Sequence, residues 1–136
     1  MILKYMDNKS KKYDLNERLI EFAVNVIAIC ESVNSSKAGS HMVGQLLRSG
    51  TSPALNYGEA QSAESRSDFI HKLKIAVKEL RESFNNLRIM EKANLASNNV
   101  LVQSALKECN ELISILVKSI ETAKKNKEKS ESNNRN

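Results

Sequence analysis

The stretch Asp68-Phe69-Ile70-His71-Lys72-Leu73-Lys74-Ile75-Ala76-Val77-Lys78-Glu79-Leu80-Arg81-Glu82-Ser83-Phe84-Asn85-Asn86-Leu87-Arg88-Ile89-Met90 decides the fold class of this chain. Phe69, Ile70, Leu73, Ala76, Val77, Leu80, Phe84, Leu87 and Met90 recur three or four positions apart, so at ~100° per residue they fall on one face of a helix. Charged residues take the other positions, and Ser67 or Asp68 supplies an N-cap. A helix so patterned buries one side only and needs partners of the same kind.

Working outward, the chain offers three such partners. Upstream, Asp14 and Glu17 mark a helix start, and Leu15, Leu19, Phe22, Ala23, Val26, Cys30 and Val33 follow at helical spacing. After a turn-rich break from Asn34 to Gly39, Met42, Val43, Leu46 and Leu47 resume the pattern, so the second helix is expected to begin near Met42. Its middle holds Ser49-Gly50-Thr51-Ser52-Pro53, yet Ala54, Leu55, Tyr57, Ala60 and Ala63 continue the period. This predicts one helix kinked at Pro53, with two short helices as the alternative. A loop at Ser62–Ser67 precedes the quoted stretch. Downstream, Asn94–Asn99 supplies turn residues before a fourth stripe of Leu101, Ala105, Leu106, Cys109, Leu112, Ile113, Leu116, Val117 and Ile120. Four helices with short connections and no strand signal predict an all-α, antiparallel, up-down-up-down four-helix bundle.

The chain has 136 residues, enough for one core of ordinary size. One proline, four glycines and six aromatics argue against a β-sandwich or barrel. No apolar run reaches the roughly 18 residues needed to span a bilayer, and the lysine-rich start is unlike a signal peptide, so a cytoplasmic protein is expected. Cys30 and Cys109 sit among aliphatic residues and read as core thiols. The net charge of +5 resides in the ends: residues 1–14 carry +2, residues 124–136 carry +3, and twelve basic side chains balance twelve acidic ones between them. Residues 1–13 therefore read as a flexible basic arm, 14–123 as the bundle, and 124–136, with no apolar residue, as a disordered basic tail.

Three groups of residues are candidates for more than packing. With Leu80 facing the core, Lys74, Lys78, Arg81 and Arg88 form a basic ridge on the third helix suited to phosphate contacts, within a segment, Arg66 to Lys92, that nets +3. A row of cations on a helix face is also the ordinary solvated surface. On the first helix the apolar arc covers roughly 220°, about twice what one core needs, so Ile20, Val24 and Ile27 are expected to pack on a neighbouring subunit. Arg48, Asn56 and Glu59 share one side of the second helix, where polar residues more often set register between helices than bind ligands. No cofactor or metal site is expected: Asp68-x-x-His71 lacks the second motif a di-iron bundle needs, and His41 has no spaced partner. No nucleophile arrangement is legible, and no enzymatic activity is expected.

Gln45-Leu-Leu-Arg-Ser-Gly-Thr-Ser-Pro-Ala-Leu-Asn-Tyr-Gly-Glu-Ala60, followed by Glu64 to Glu82, resembles the bacterial four-helix-bundle proteins encoded by intervening sequences in 23S ribosomal RNA genes. The resemblance runs over about residues 14–120, and its hallmark is Arg48, Ser49, Ser52, Asn56 and Glu59 followed by Asp68-Phe69-Ile70. It implies a homo-oligomer, a ring of five, with no enzymatic activity. A relative is the accessory protein of diversity-generating retroelements, which binds nucleic acid and a reverse transcriptase. The resemblance thus implies RNA or DNA, and a reverse transcriptase or another neighbouring-gene product, as partners. Where the family has an aromatic-rich turn at the end of the third helix, this chain reads Phe84-Asn-Asn-Leu87. The function expected is a non-enzymatic oligomeric scaffold binding nucleic acid without strong sequence specificity. The alternative is a protein-interaction module that binds none.

Overall fold

The computed structural model describes residues 14–135 and contains four helices: α1 (Leu15–Glu31), α2 (Lys37–Gln61), α3 (Arg66–Lys92) and α4 (Asn99–Arg135). Among these residues the only β-type pairing is an isolated bridge between Val33 and Ala96. Connections at 32–36, 62–65 and 93–98 are too short for anything but a return beside the preceding helix. Each helix packs on its neighbours in sequence and α4 closes on α1, so α1 and α3 occupy opposite corners. The four-helix bundle is as the periodicity predicts; residues 1–13, read as a basic arm, lie outside the described residues.

Local chemistry sets where the helices begin and end. The Asp14 carboxylate accepts a hydrogen bond from the Glu17 amide at 3.1 Å and starts α1 as expected. Helix α2 begins earlier than Met42: Ser36 caps it, accepting from the Gly39 amide at 2.9 Å. A side chain at position 39 would collide with Ser36 Oγ and the Asn34 carbonyl, so glycine permits this tight entry. Helix α3 likewise begins at Ser65, whose hydroxyl accepts from the Asp68 amide at 3.0 Å, rather than at Ser67 or Asp68. Asp68 thereby becomes the acid of the first turn, where the helix dipole favours it. Helix α3 ends in a Schellman turn: Asn94 takes φ 55°, while the Leu95 and Asn94 amides donate to the carbonyls of Met90 and Glu91. Ser97 Oγ donates to the Ser32 carbonyl at 2.8 Å, tying the turn after α3 to the one after α1.

Helix α2 passes through Pro53 as one continuous element, so the two-helix alternative is excluded. A proline inside a helix costs about 3 kcal/mol, which burial of Pro53 between its neighbours helps offset. Helix α4 departs from the expected disordered tail by continuing to Arg135. Composition weighs burial against ordering entropy, and beyond Ala123 nothing is buried. A helix already nucleated by a packed stripe needs only propagation, however, and Lys and Glu propagate it well.

The core contains Leu19, Phe22, Val26 and Ile29 from α1, Leu46 from α2, Leu73, Leu80, Leu87 and Met90 from α3, and Leu112 and Leu116 from α4, all essentially solvent-free. Three polar residues share it: Ser49, Ser83 and Asn86. The Ser83 hydroxyl and the Asn86 amide donate to Ser49 Oγ at 2.9 and 3.2 Å, joining α2 to α3 inside the bundle. Sliding either helix would leave the Asn86 amide unpaired in an apolar interior, whereas Ser83 could turn to the Glu79 carbonyl 3.0 Å away on its own helix, so Asn86 on Ser49 holds the register.

Candidate nucleic-acid interface

The two flanks of α3 carry different charge chemistry. On the flank against α2, Lys72 Nζ lies 2.8 Å from Glu59, and Arg48 bridges Glu79, at 2.9 Å, and Glu82. These contacts raise the pKa of Arg48, first through its hydrogen bond to Glu82, and that of Lys72 through its hydrogen bond to Glu59. Glu79 and Glu82 of α3 are thus both matched by Arg48 of α2. The opposite flank presents Lys74, Lys78, Arg81 and Arg88, all exposed. No carboxylate among the described residues lies within 4 Å of Lys74, Lys78 or Arg81, whereas Arg88 Nε lies 3.6 Å from Glu91.

Arg48, Asn56 and Glu59 do not converge. Arg48 and Glu59 each reach across to α3, while Asn56 Nδ2 donates to the carbonyl and hydroxyl of Ser52 within α2. Their pairs add polar stitches at the α2–α3 rim, but the buried register device is Ser49 with Ser83 and Asn86. Sequence reading passed over the last two, although Ser83 sits between Leu80 and Leu87 on the apolar stripe and a polar residue there is the available signal.

On α1, Ile20, Val24 and Ile27 remain 39%, 57% and 44% exposed, so the bundle leaves the shoulder uncovered. The other edge of α1 is anchored to α4, where Arg18 takes Glu108 and Glu111, the latter at 2.9 Å. Asp68 serves at the start of α3 and His71 is exposed; no three of His, Cys, Asp and Glu among the described residues come together as a metal site.

Two open grooves flank the C-terminal part of α4; a bundle ending at residue 123 lacks the whole α4 wall of the smaller one and the far part of the larger. The larger, about 1030 Å³, runs between α4 and the α2–α3 connection, with Arg66 and Phe69 on one wall and Lys118, Asn126 and Lys127 on the other. The smaller, about 420 Å³, brings His71 and Lys74 of α3 beside Lys124 and Lys127 of α4.

Cys30 and Cys109 are buried, free thiols. Cys109 Sγ donates to the Leu80 carbonyl at 3.1 Å. Burial pushes their pKa values up to about 11 and about 12, each helped by a neighbouring glutamate. Thiolate is therefore scarce at neutral pH, and native protein should react with a thiol reagent only as fast as it opens. An unfolded thiol ionises near 9, so the unfolded chain releases its protons first as pH rises. The stabilisation is complete below pH 9 and declines as pH climbs through about 11 and 12. Melting curves should show a fall in Tm on passing from pH 8 to pH 10.5 that is smaller in Cys109→Ala, compared with that variant's own value at pH 8.

A sequence model of the 23S rRNA-intervening sequence proteins matches residues 11–118. The chain belongs to that family. The crystal structure of a protein of unknown function from the S23 ribosomal protein family, from Bacteroides thetaiotaomicron, superposes with a TM-score of 0.71 at 31% identity, covering 78% of this chain and 97% of that one. No curated relative matches this chain. The family match ends at residue 118, so most of the α4 wall of both grooves lies beyond it, while the walls from α2, α3 and their connection lie within it. No helix among the described residues is long and apolar enough to cross a membrane.

Proposed function

We propose that this family member is a non-enzymatic, oligomeric, cytoplasmic scaffold that binds nucleic acid through its basic helix surfaces, without strong sequence specificity. The observation that carries this reading is the asymmetry of α3: its acids Glu79 and Glu82 are taken by Arg48, while Lys74, Lys78 and Arg81 stand exposed with no carboxylate among the described residues within 4 Å. Such a row meets phosphates as counterions and reads no bases. Assembly multiplies it, because several ridges on one particle act at high effective concentration. The exposed stripe of α1 supports self-association, and the family resemblance suggests five subunits around a ring. A reverse transcriptase or another neighbouring-gene product is the protein partner this reading allows.

Changing Lys74, Lys78, Arg81 and Arg88 together to Gln keeps helix propensity and removes four charges. Binding to RNA and DNA, measured between 50 and 200 mM salt, should weaken linearly on a log–log plot, and the slope should shrink in the variant. A variant that stays assembled and binds like the parent reduces the ridge to a solvated face. A parent that binds neither polymer at low salt leaves the exposed aliphatic stripe as the dominant feature and the protein-interaction module as the function.

A further inference from the structure

The ridge on α3 does not end at Lys74. There the extended α4 comes alongside, and His71 and Lys74 share one groove with Lys124 and Lys127. Lys127 also lines the larger groove, together with Arg66 and Lys118, so the same stretch of α4 has cations on both sides. Arg66, Lys74, Lys118, Lys124 and Lys127 outnumber the carboxylates of the two grooves, Glu64, Glu128 and Glu131, five to three. The larger groove has a second character. Ser119, Thr122, Asn126 and Ser130, three or four residues apart along α4, give it a line of neutral hydrogen-bonding groups, and Phe69, Ile115 and Ala123 give it apolar patches. Ser119 Oγ donates to the Ile115 carbonyl at 3.0 Å, leaving its lone pairs to accept.

We propose that the C-terminal part of α4 and the start of α3 form a groove for a single-stranded RNA, a site that rests on the nucleic-acid reading above and narrows it. Arg66, Lys74, Lys118, Lys124 and Lys127 meet phosphates, and the line from Ser119 to Ser130 meets ribose 2′-hydroxyls, the group by which a protein tells RNA from DNA. The site gives a use to residues 124–135, which contribute nothing to the core.

The test uses the full-length protein and a fluorescently labelled, mixed-sequence RNA of about twenty nucleotides, spanning more than one groove, with DNA of the same sequence beside it. Two triple variants are compared: Lys118, Lys124 and Lys127 to Gln on α4, and Lys78, Arg81 and Arg88 to Gln on the far part of the ridge. Circular dichroism and light scattering establish that both remain helical and assembled. The α4 variant should lose at least tenfold in RNA affinity at low salt and about two in log–log salt slope, at ~0.7 per phosphate contact on a single strand, and should lose more than the ridge variant. Glu128→Gln with Glu131→Gln should tighten binding. Thr122→Ala with Asn126→Ala and Ser130→Ala should abolish a preference for RNA over DNA. An α4 variant that binds like the parent while the ridge variant fails overturns the groove and leaves nucleic-acid binding standing. Equal binding of RNA and DNA by the parent overturns the ribose contacts. A parent that binds neither polymer removes the broader reading together with this one.

Discussion

Val24→Asp is expected to break the assembly into monomers while leaving the bundle folded. Val24 is the most exposed member of the α1 stripe and lies between Ile20 and Ile27, four residues after one and three before the other. A carboxylate there costs the isolated subunit little, since water reaches it. In a subunit contact the same charge is buried among aliphatic side chains without a partner, a penalty of several kcal/mol and enough to shift association by orders of magnitude. Light scattering at micromolar concentration should show a stable oligomer for the parent and a single-subunit mass for the variant, with equal helicity. An unchanged assembly state, or a parent that is itself monomeric, would assign the stripe to the ordinary apolar surface of a soluble protein.

The second large effect concerns Gly50, where α2 passes directly over Val26 of α1. A Cβ built at position 50 meets Val26 Cγ1 and Cγ2 at 2.7 Å, closer than real Cβ atoms come to a neighbour, and its Cβ at a tight 3.1 Å. Alanine favours a helix over glycine by roughly 1 kcal/mol, so Gly50→Ala sets that gain against a clash in a filled core. Both residues are wholly buried, and the clash should win: Gly50→Ala should lose about 1–3 kcal/mol and Gly50→Val more. Val26→Ala in the same chain should recover part of the loss, the coupling expected of two groups in direct contact. Gly44 and Gly58 supply the contrast, because a Cβ at either meets nothing within 4 Å. Alanine at Gly44 should raise stability by up to about 1 kcal/mol. Urea melts of the four variants decide the matter; a neutral Gly50→Val would mean that α1 and α2 separate more readily than their packing implies.

Much of this was legible along the chain. The stripe from Phe69 to Met90 identifies α3, and its counterparts identify three more helices, because burial on one face demands a period near 3.6 whatever the partner. The start of α1 at Asp14 and the exposure of Ile20, Val24 and Ile27 were also readable, the first from a local cap, the second from an arc too wide for one core. Helix α2 starts five residues before Met42, and the cap of α3 lies two residues before Ser67 and three before Asp68. Each has more than one serine able to cap, and the choice between Ser65 and Ser67 depends on which extended conformation the connection from α2 imposes. The end of α4 was misplaced by twelve residues for a different reason: composition measures what a segment buries, and a helix extended from a packed stripe need bury nothing.

What the sequence by itself determined is the number of helices, their amphipathic faces and the identity of most core residues, all consequences of periodicity and short-range chemistry. Tertiary structure decided which polar residues meet. Arg48 and Glu59, on the same side of α2, both turn to α3, and Ser49 finds Ser83 and Asn86, residues 34 and 37 positions away. It also decided that Lys74 has Lys124 and Lys127 for neighbours. The physical reason is that helical periodicity is a property of consecutive residues, whereas a hydrogen bond, an ion pair or a groove depends on how two helices are rotated and shifted against each other. That rotation and shift emerge only when all four apolar faces are satisfied together.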